Sequence, residues 1–156
     1  MFDIRSMLKD SKEILGDEAS QLEVVKQNGY VIRYIHSPSE NVQLEAVKQA
    51  GYAIQYIHSP SENVQLEAVK QDGCAIQFIH SPSENVQREA VKQYGDAIRF
   101  IHSPSENVMQ AALAQDPKCI KYFKRAWLAN LAPVKKMTVS EIKELLGYKV
   151  EVVAEK

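Results

Sequence analysis

The sequence predicts an all-α solenoid of about five 22-residue repeats, each a pair of short helices. Three observations lead there. A near-identical 22-residue string recurs in tandem, every copy carries its own helix start and stop residues, and the apolar positions within a copy follow helical rather than alternating spacing. Residues 41–62 read NVQLEAVKQAGYAIQYIHSPSE, residues 63–84 read NVQLEAVKQDGCAIQFIHSPSE, and residues 85–106 read NVQREAVKQYGDAIRFIHSPSE. Weaker copies run over 19–40 and from 107 to about 124.

Ser37, Pro38 and Glu40 place a capping serine, a proline at the first helical position and a glutamate at the third, so a helix is expected to open there. It carries Val42, Ala46 and Val47 on one side and Glu45 and Lys48 on the other. Gly51 is expected to close it in a left-handed conformation. Ala53, Ile54, Tyr56 and Ile57 then form the stripe of a second, shorter helix that ends at His58. Helices of two or three turns are marginal alone, so the array rather than the single repeat is the stable object.

Both flanks read as caps for the apolar ends of such an array. Residues 1–18 form a capping helix with the stripe Ile4, Met7, Leu8, Ile14 and Leu15, and 19–124 is the repeat array. Residues 125–133, with Trp127, Leu128 and Leu131, form a second cap. In the tail, 134–156, a capping box at Thr138 and Glu141 opens a helix that stops at Gly147, and 148–153 alternates as a short strand. An isolated strand leaves its backbone unsatisfied, so 148–153 is expected to pair in a homodimer or on a partner's sheet.

Nineteen basic against twenty acidic side chains give a formal charge of -1, with no global field toward nucleic acid or an anionic membrane. No apolar run approaches the length of a signal-peptide core or a membrane span, so a cytoplasmic protein is expected. Cys74 and Cys119 read as two reduced thiols. His36, His58, His80 and His102 share one repeat position, but successive units about 8–10 Å apart cannot place them on one zinc ion with ligands at about 2 Å. Their expected role is to complement the carbonyls at a helix end. The His-Ser-Pro-Ser-Glu string holds the residue types of a nucleophile, a base and an acid, yet its serine and glutamate are committed to capping. No phosphate loop, metalloprotease helix or nucleophile elbow is present, so neither catalysis nor a cofactor is expected.

The copies over 41–62 and 63–84 agree at 19 of 22 positions and the next pair at 18 of 22, which marks recent duplication and moves the information to the differences. These concentrate beside the glycine: Asn28, Ala50, Asp72 and Tyr94 before it, Tyr30, Tyr52, Cys74 and Asp96 after it. They are the candidate partner-binding edge. Tyr34, Tyr56, Phe78 and Phe100 are expected to be partly buried, which disfavours nucleic acid, whose binding needs aromatic rings open for stacking.

The repeat motif Glu-Ala-Val-Lys-Gln-x-Gly-x-Ala-Ile-Gln-Tyr-Ile is similar to that of a family of helical repeats of unassigned function, with the pattern Ala-Val-Lys-Gln-Asn-Gly-x-Ala-Leu-Gln-Tyr-Ala. The likeness spans 19 to about 124, and the uniform His-Ser-Pro-Ser-Glu connector departs from it. The ending over 137–153 resembles a segment that closes a number of phage-encoded proteins. The first likeness is silent on activity and the second points to a phage origin; the function expected is a protein-binding helical repeat protein, phage-encoded and acting on a host protein. A structural or assembly component is the alternative, as is a small-nucleotide sponge built on Lys26, Lys48, Lys70 and Lys92.

Overall fold

The computed structural model describes residues 16–123, and within them the solenoid is plain. Five α-helices, α1 (Glu18–Gln27), α2 (Glu40–Gln49), α3 (Glu62–Gln71), α4 (Glu84–Gln93) and α5 (Glu106–Gln115), alternate with five six-residue 3-10 helices. The latter are η1 (Gly29–Tyr34), η2 (Gly51–Tyr56), η3 (Gly73–Phe78), η4 (Gly95–Phe100) and η5 (Pro117–Tyr122). Each α-helix packs on the next, each η on the next, and each α-helix also on the η of the unit before it, giving two layers. The core lies between them: Val42, Ala46 and Val47 from α2 meet Ala53, Ile54 and Ile57 from the η2 side, and the set recurs in each unit. The array starts one residue earlier than its repeat suggests, at Glu18, with Asp17 as the cap. The flanking caps and the 148–153 strand lie outside the described residues.

From α2 onward each α-helix opens two residues later than expected. The cap is the second serine, Ser39, Ser61, Ser83 or Ser105, and Glu40 and its equivalents stand at the first helical position. Ser39 Oγ accepts from the Val42 amide at 3.4 Å and donates to Glu18 of the preceding unit at 2.6 Å. The same bridge joins Ser61 to Glu40, Ser83 to Glu62 and Ser105 to Glu84, so the glutamate reaches across units rather than back to its own cap. Pro38, Pro60 and Pro82 lie outside the helix, and each carbonyl accepts from the glutamine five residues on, Gln43, Gln65 and Gln87, at 2.9 Å.

The left-handed residue is also elsewhere. Ser37, Ser59 and Ser81 have φ of 54–55°, where a residue with a Cβ is strained, whereas the glycines have none of this character. Ala50 closes α2 in extended conformation, its amide bonded to the Ala46 carbonyl at 3.0 Å. Gly51 is required for a different reason: a Cβ there would stand 2.7 Å from the Ala68 carbonyl oxygen of the next unit. At Gly29 and Gly73 the corresponding distances to Ala46 and Ala90 are 2.3 and 2.5 Å, so the glycine sets how closely the units stack. The histidines are exposed one residue beyond Ile35, Ile57, Ile79 and Ile101, whose own amides close each 3-10 turn. The isoleucine amide in each case bonds the carbonyl three residues before it.

Two outcomes follow. Gly51→Ala and Gly73→Ala should each lower stability by about 1–3 kcal/mol in urea melts, since backbone must move to admit the methyl. Ser59→Gly should stay within about 1 kcal/mol of the parent, because relief of the left-handed strain offsets the added freedom of the unfolded chain.

The ladder bonds hold the Glu18 carboxyl below its ordinary value, chiefly through the Ser39 hydroxyl and then the Asn41 amide. Glu84 is lowered by Asn107 first and Ser105 second. A carboxyl lowered by folding contributes stability that is complete above its unfolded value, about 4.3, and is lost as pH falls through the lower folded value. The urea midpoint should therefore hold down to about pH 5 and decline below about 4.3, with a shallower acid decline in Glu84→Gln.

Candidate partner-binding face

The variable positions beside the glycine divide into two rows with different work. Asn28 and Asp72 bridge the two helices of their units, their side-chain oxygens accepting from the amides of Tyr30 at 3.0 Å and Cys74 at 2.8 Å. Asp116 does the same for Lys118 at 2.9 Å. Ala50 and Tyr94 make no such bond. Ala50 and Asn28 are half-buried while Asp72 and Tyr94 are exposed, so only part of this row is open.

The row after the glycine faces the neighbouring unit. Tyr30 meets Tyr56 edge-on with ring centroids 6.4 Å apart, and Tyr52 meets Phe78 at 5.4 Å. At the same offset of 26 residues, the Tyr122 hydroxyl donates to Asp96 Oδ2 at 3.2 Å, and Lys121 pairs with that oxygen at 3.6 Å. Asp96 Oδ1 is buried with no hydrogen-bond partner. Tyr52, Cys74 and Asp96 are half-buried, and burial, followed by the nearby Asp72 charge, pushes both the Tyr52 hydroxyl and the Cys74 thiol up from their ordinary values. Of this row only Tyr30 is exposed. Cys74 and Cys119 are free thiols.

The open surface is the ridge of aromatic residues that ends each 3-10 helix. Tyr34, Tyr56 and Phe78 are 46%, 41% and 39% exposed, with Tyr30 and Tyr94 at 40% and 45%. The sequence stripe placed Tyr56 toward the core, but it is the last residue of a six-residue helix, and Ile57, already in extended backbone, takes the core position. Cations lie over the rings: Arg33 Cζ stands 4.4 Å from the Tyr34 centroid, Arg99 Cζ 4.5 Å from that of Phe100, and Lys121 Nζ 4.7 Å from that of Tyr122. The Tyr34 hydroxyl, accepting from the Arg33 guanidinium, raises its pKa above the ordinary value. The arginine-on-aromatic pairs are adjacent in sequence, Arg33-Tyr34 and Arg99-Phe100, a signal that was available but masked by assigning the aromatics to the core.

On the α-layer, Lys26, Lys48, Lys70 and Lys92 are exposed in the last turns. Glu45 and Glu89 accept from Gln49 and Gln93 at 2.9 Å. Among the described residues no group of three or more His, Cys, Asp or Glu could hold a metal ion. No helix there is long and apolar enough to cross a membrane.

The two rows can be separated by mutation. Asp72→Ala should lower stability by about 1 kcal/mol in thermal melts through the lost cap, with Asp72→Asn close to the parent. Compared with protein-family models, curated proteins and solved structures, the chain has no match.

Proposed function

We propose that this is a non-catalytic, cytoplasmic binding protein that docks a protein partner on the layer of 3-10 helices. The observation that carries the reading is the exposed aromatic ridge: Tyr34, Tyr56 and Phe78 leave about two-fifths of their surface open, and the other exposed large apolar side chains among the described residues, Tyr30 and Tyr94, are aromatic too. Tyrosine and arginine are the residues in which binding energy concentrates at protein interfaces, because they combine large rigid contact area with directional polar groups. Arg33 and Arg99 beside these rings complete that composition. The free thiols agree with a reducing compartment. The likeness of the chain ending to those of phage-encoded proteins makes a host protein the partner of choice.

The choice of face can be tested by proximity crosslinking in the native host, with the bound protein identified by mass spectrometry. Tyr56→Ala combined with Phe78→Ala should reduce capture of the crosslinked partner at least tenfold while the melting temperature moves by only a few degrees. Capture unchanged by that pair, but lost on substituting Glu45, Lys48 and Glu67, would move the site to the α-layer.

A further inference from the structure

We infer that the aromatic ridge recognises an extended acidic peptide segment, with carboxylates seated on Arg33 and Arg99 at either end of the run of rings; this rests on the reading of that face as the contact surface. The charge pattern of the ridge is the starting point. The residue before each terminal aromatic is Arg33, Gln55, Gln77, Arg99 or Lys121 in successive units. Lys121 is already paired with Asp96. Arg33 and Arg99 are exposed and have no carboxylate within ion-pairing distance among those residues.

Both guanidinium groups are positioned. Arg99 lies over Phe100 and reaches the Tyr122 ring at 6.0 Å, while Arg33 lies over Tyr34, donates to its hydroxyl and has the Tyr56 hydroxyl beside it. A guanidinium held over a ring loses less freedom on binding, and its planar set of five donors matches a carboxylate at two points. Those ring contacts use only part of the set. Between the two arginines stand Tyr56 and Phe78, flanked by neutral Gln55 and Gln77, whose amides donate to the carbonyls of Tyr52 and Cys74 at 2.9 and 3.0 Å. The surface is thus cationic at two ends and apolar in the middle.

Its length selects an extended chain. Arg33 and Arg99 are three repeats apart, which at packing distances of about 8–10 Å per step is roughly 24–30 Å. An extended peptide at about 3.3 Å per residue spans this in about seven to nine residues. Single-stranded nucleic acid fits less well. The faces of Tyr34, Phe100 and Tyr122 carry cations, and Tyr56 and Phe78 meet their neighbours edge-on, so there is no run of open ring faces for successive bases. Gln55 and Gln77 would also leave the middle phosphates without counter-charge.

The test is selection of a displayed random 12-residue peptide library on the immobilised full chain, with parallel selections on Arg33→Gln/Arg99→Gln and Tyr56→Ala/Phe78→Ala. The expected result is enrichment of peptides with two acidic residues about seven to nine positions apart around an aromatic or aliphatic centre. Synthesised, these should bind at least tenfold more weakly to either double variant and weaken as salt rises. Lysine-bearing counterparts and a fifteen-residue oligo-dT should not compete. No enrichment, enrichment without acidic residues, or displacement by oligo-dT overturns the inference. If binding is lost in the aromatic variant but kept in the arginine variant, the face is right and the acidic partner is wrong. If neither variant matters, the contact face itself is wrong. Far-ultraviolet circular dichroism of each variant confirms that the helices persist.

Discussion

The whole array depends on one close approach, that of the backbone at the start of each 3-10 helix to an alanine carbonyl in the next unit. A Cβ at Gly29, Gly51 or Gly73 would come within 2.3–2.7 Å of that oxygen, so the glycine and the small alanine together fix the step between units. Everything that repeats along the molecule inherits this step. The serine caps come within reach of the previous glutamate, at 2.5–2.9 Å in four successive bridges, only because the units stand that close. The edge-on aromatic pairs, with centroids 5.4–6.4 Å apart, have the same origin.

Stacking at this distance sets all five α-helices parallel, which would crowd like dipole ends along each edge of the solenoid. The sequence answers that strain at both edges. A glutamate stands in the first turn of every α-helix, and a lysine in the last turn of the first four. The glutamates do double duty: they complement the helix N-termini and accept the hydroxyl of the next cap. Local capping and the joining of units are therefore one hydrogen-bond system, which accounts for the uniformity of the Ser-Pro-Ser-Glu connector better than a chemical role for its serines.

The fold was legible because helical periodicity and the 22-residue repeat speak to backbone path directly. What could not be read was which of several chemically suitable residues takes each special position. Two serines flank Pro38 and either can cap; the structure uses Ser39 and places Ser37 in the left-handed conformation. Glycine is found both at left-handed sites and at close approaches, and only the position of the neighbouring unit shows that Gly51 serves the second. The candidate site was half legible for a related reason. Variation between copies marked the turn between the two helices of each unit, but it could not separate Asp72, whose carboxylate caps a helix, from Tyr94, which is open to solvent. The aromatic ridge was hidden because a 3-10 helix of six residues ends before the stripe does, and the period of an α-helix carried Tyr56 into the core on paper.

The same close approach is not kept along all five described units. At the fifth unit the position of the stacking glycine is held by Pro117, which carries both a Cβ and a ring. No glycine therefore stands at the stacking position of the fifth unit. At the last junction the packing has already changed. There the Gln115 side chain accepts from the Gly95 amide at 2.8 Å and stands nearest to where a Cβ would lie. The Asp96, Lys121 and Tyr122 cluster replaces an aromatic pair at this same junction. The aromatic ridge consequently changes along its length: the terminal aromatics of the first three units are exposed, whereas Phe100 and Tyr122 are half-buried and the ion pair of Asp96 and Lys121 stands beside them.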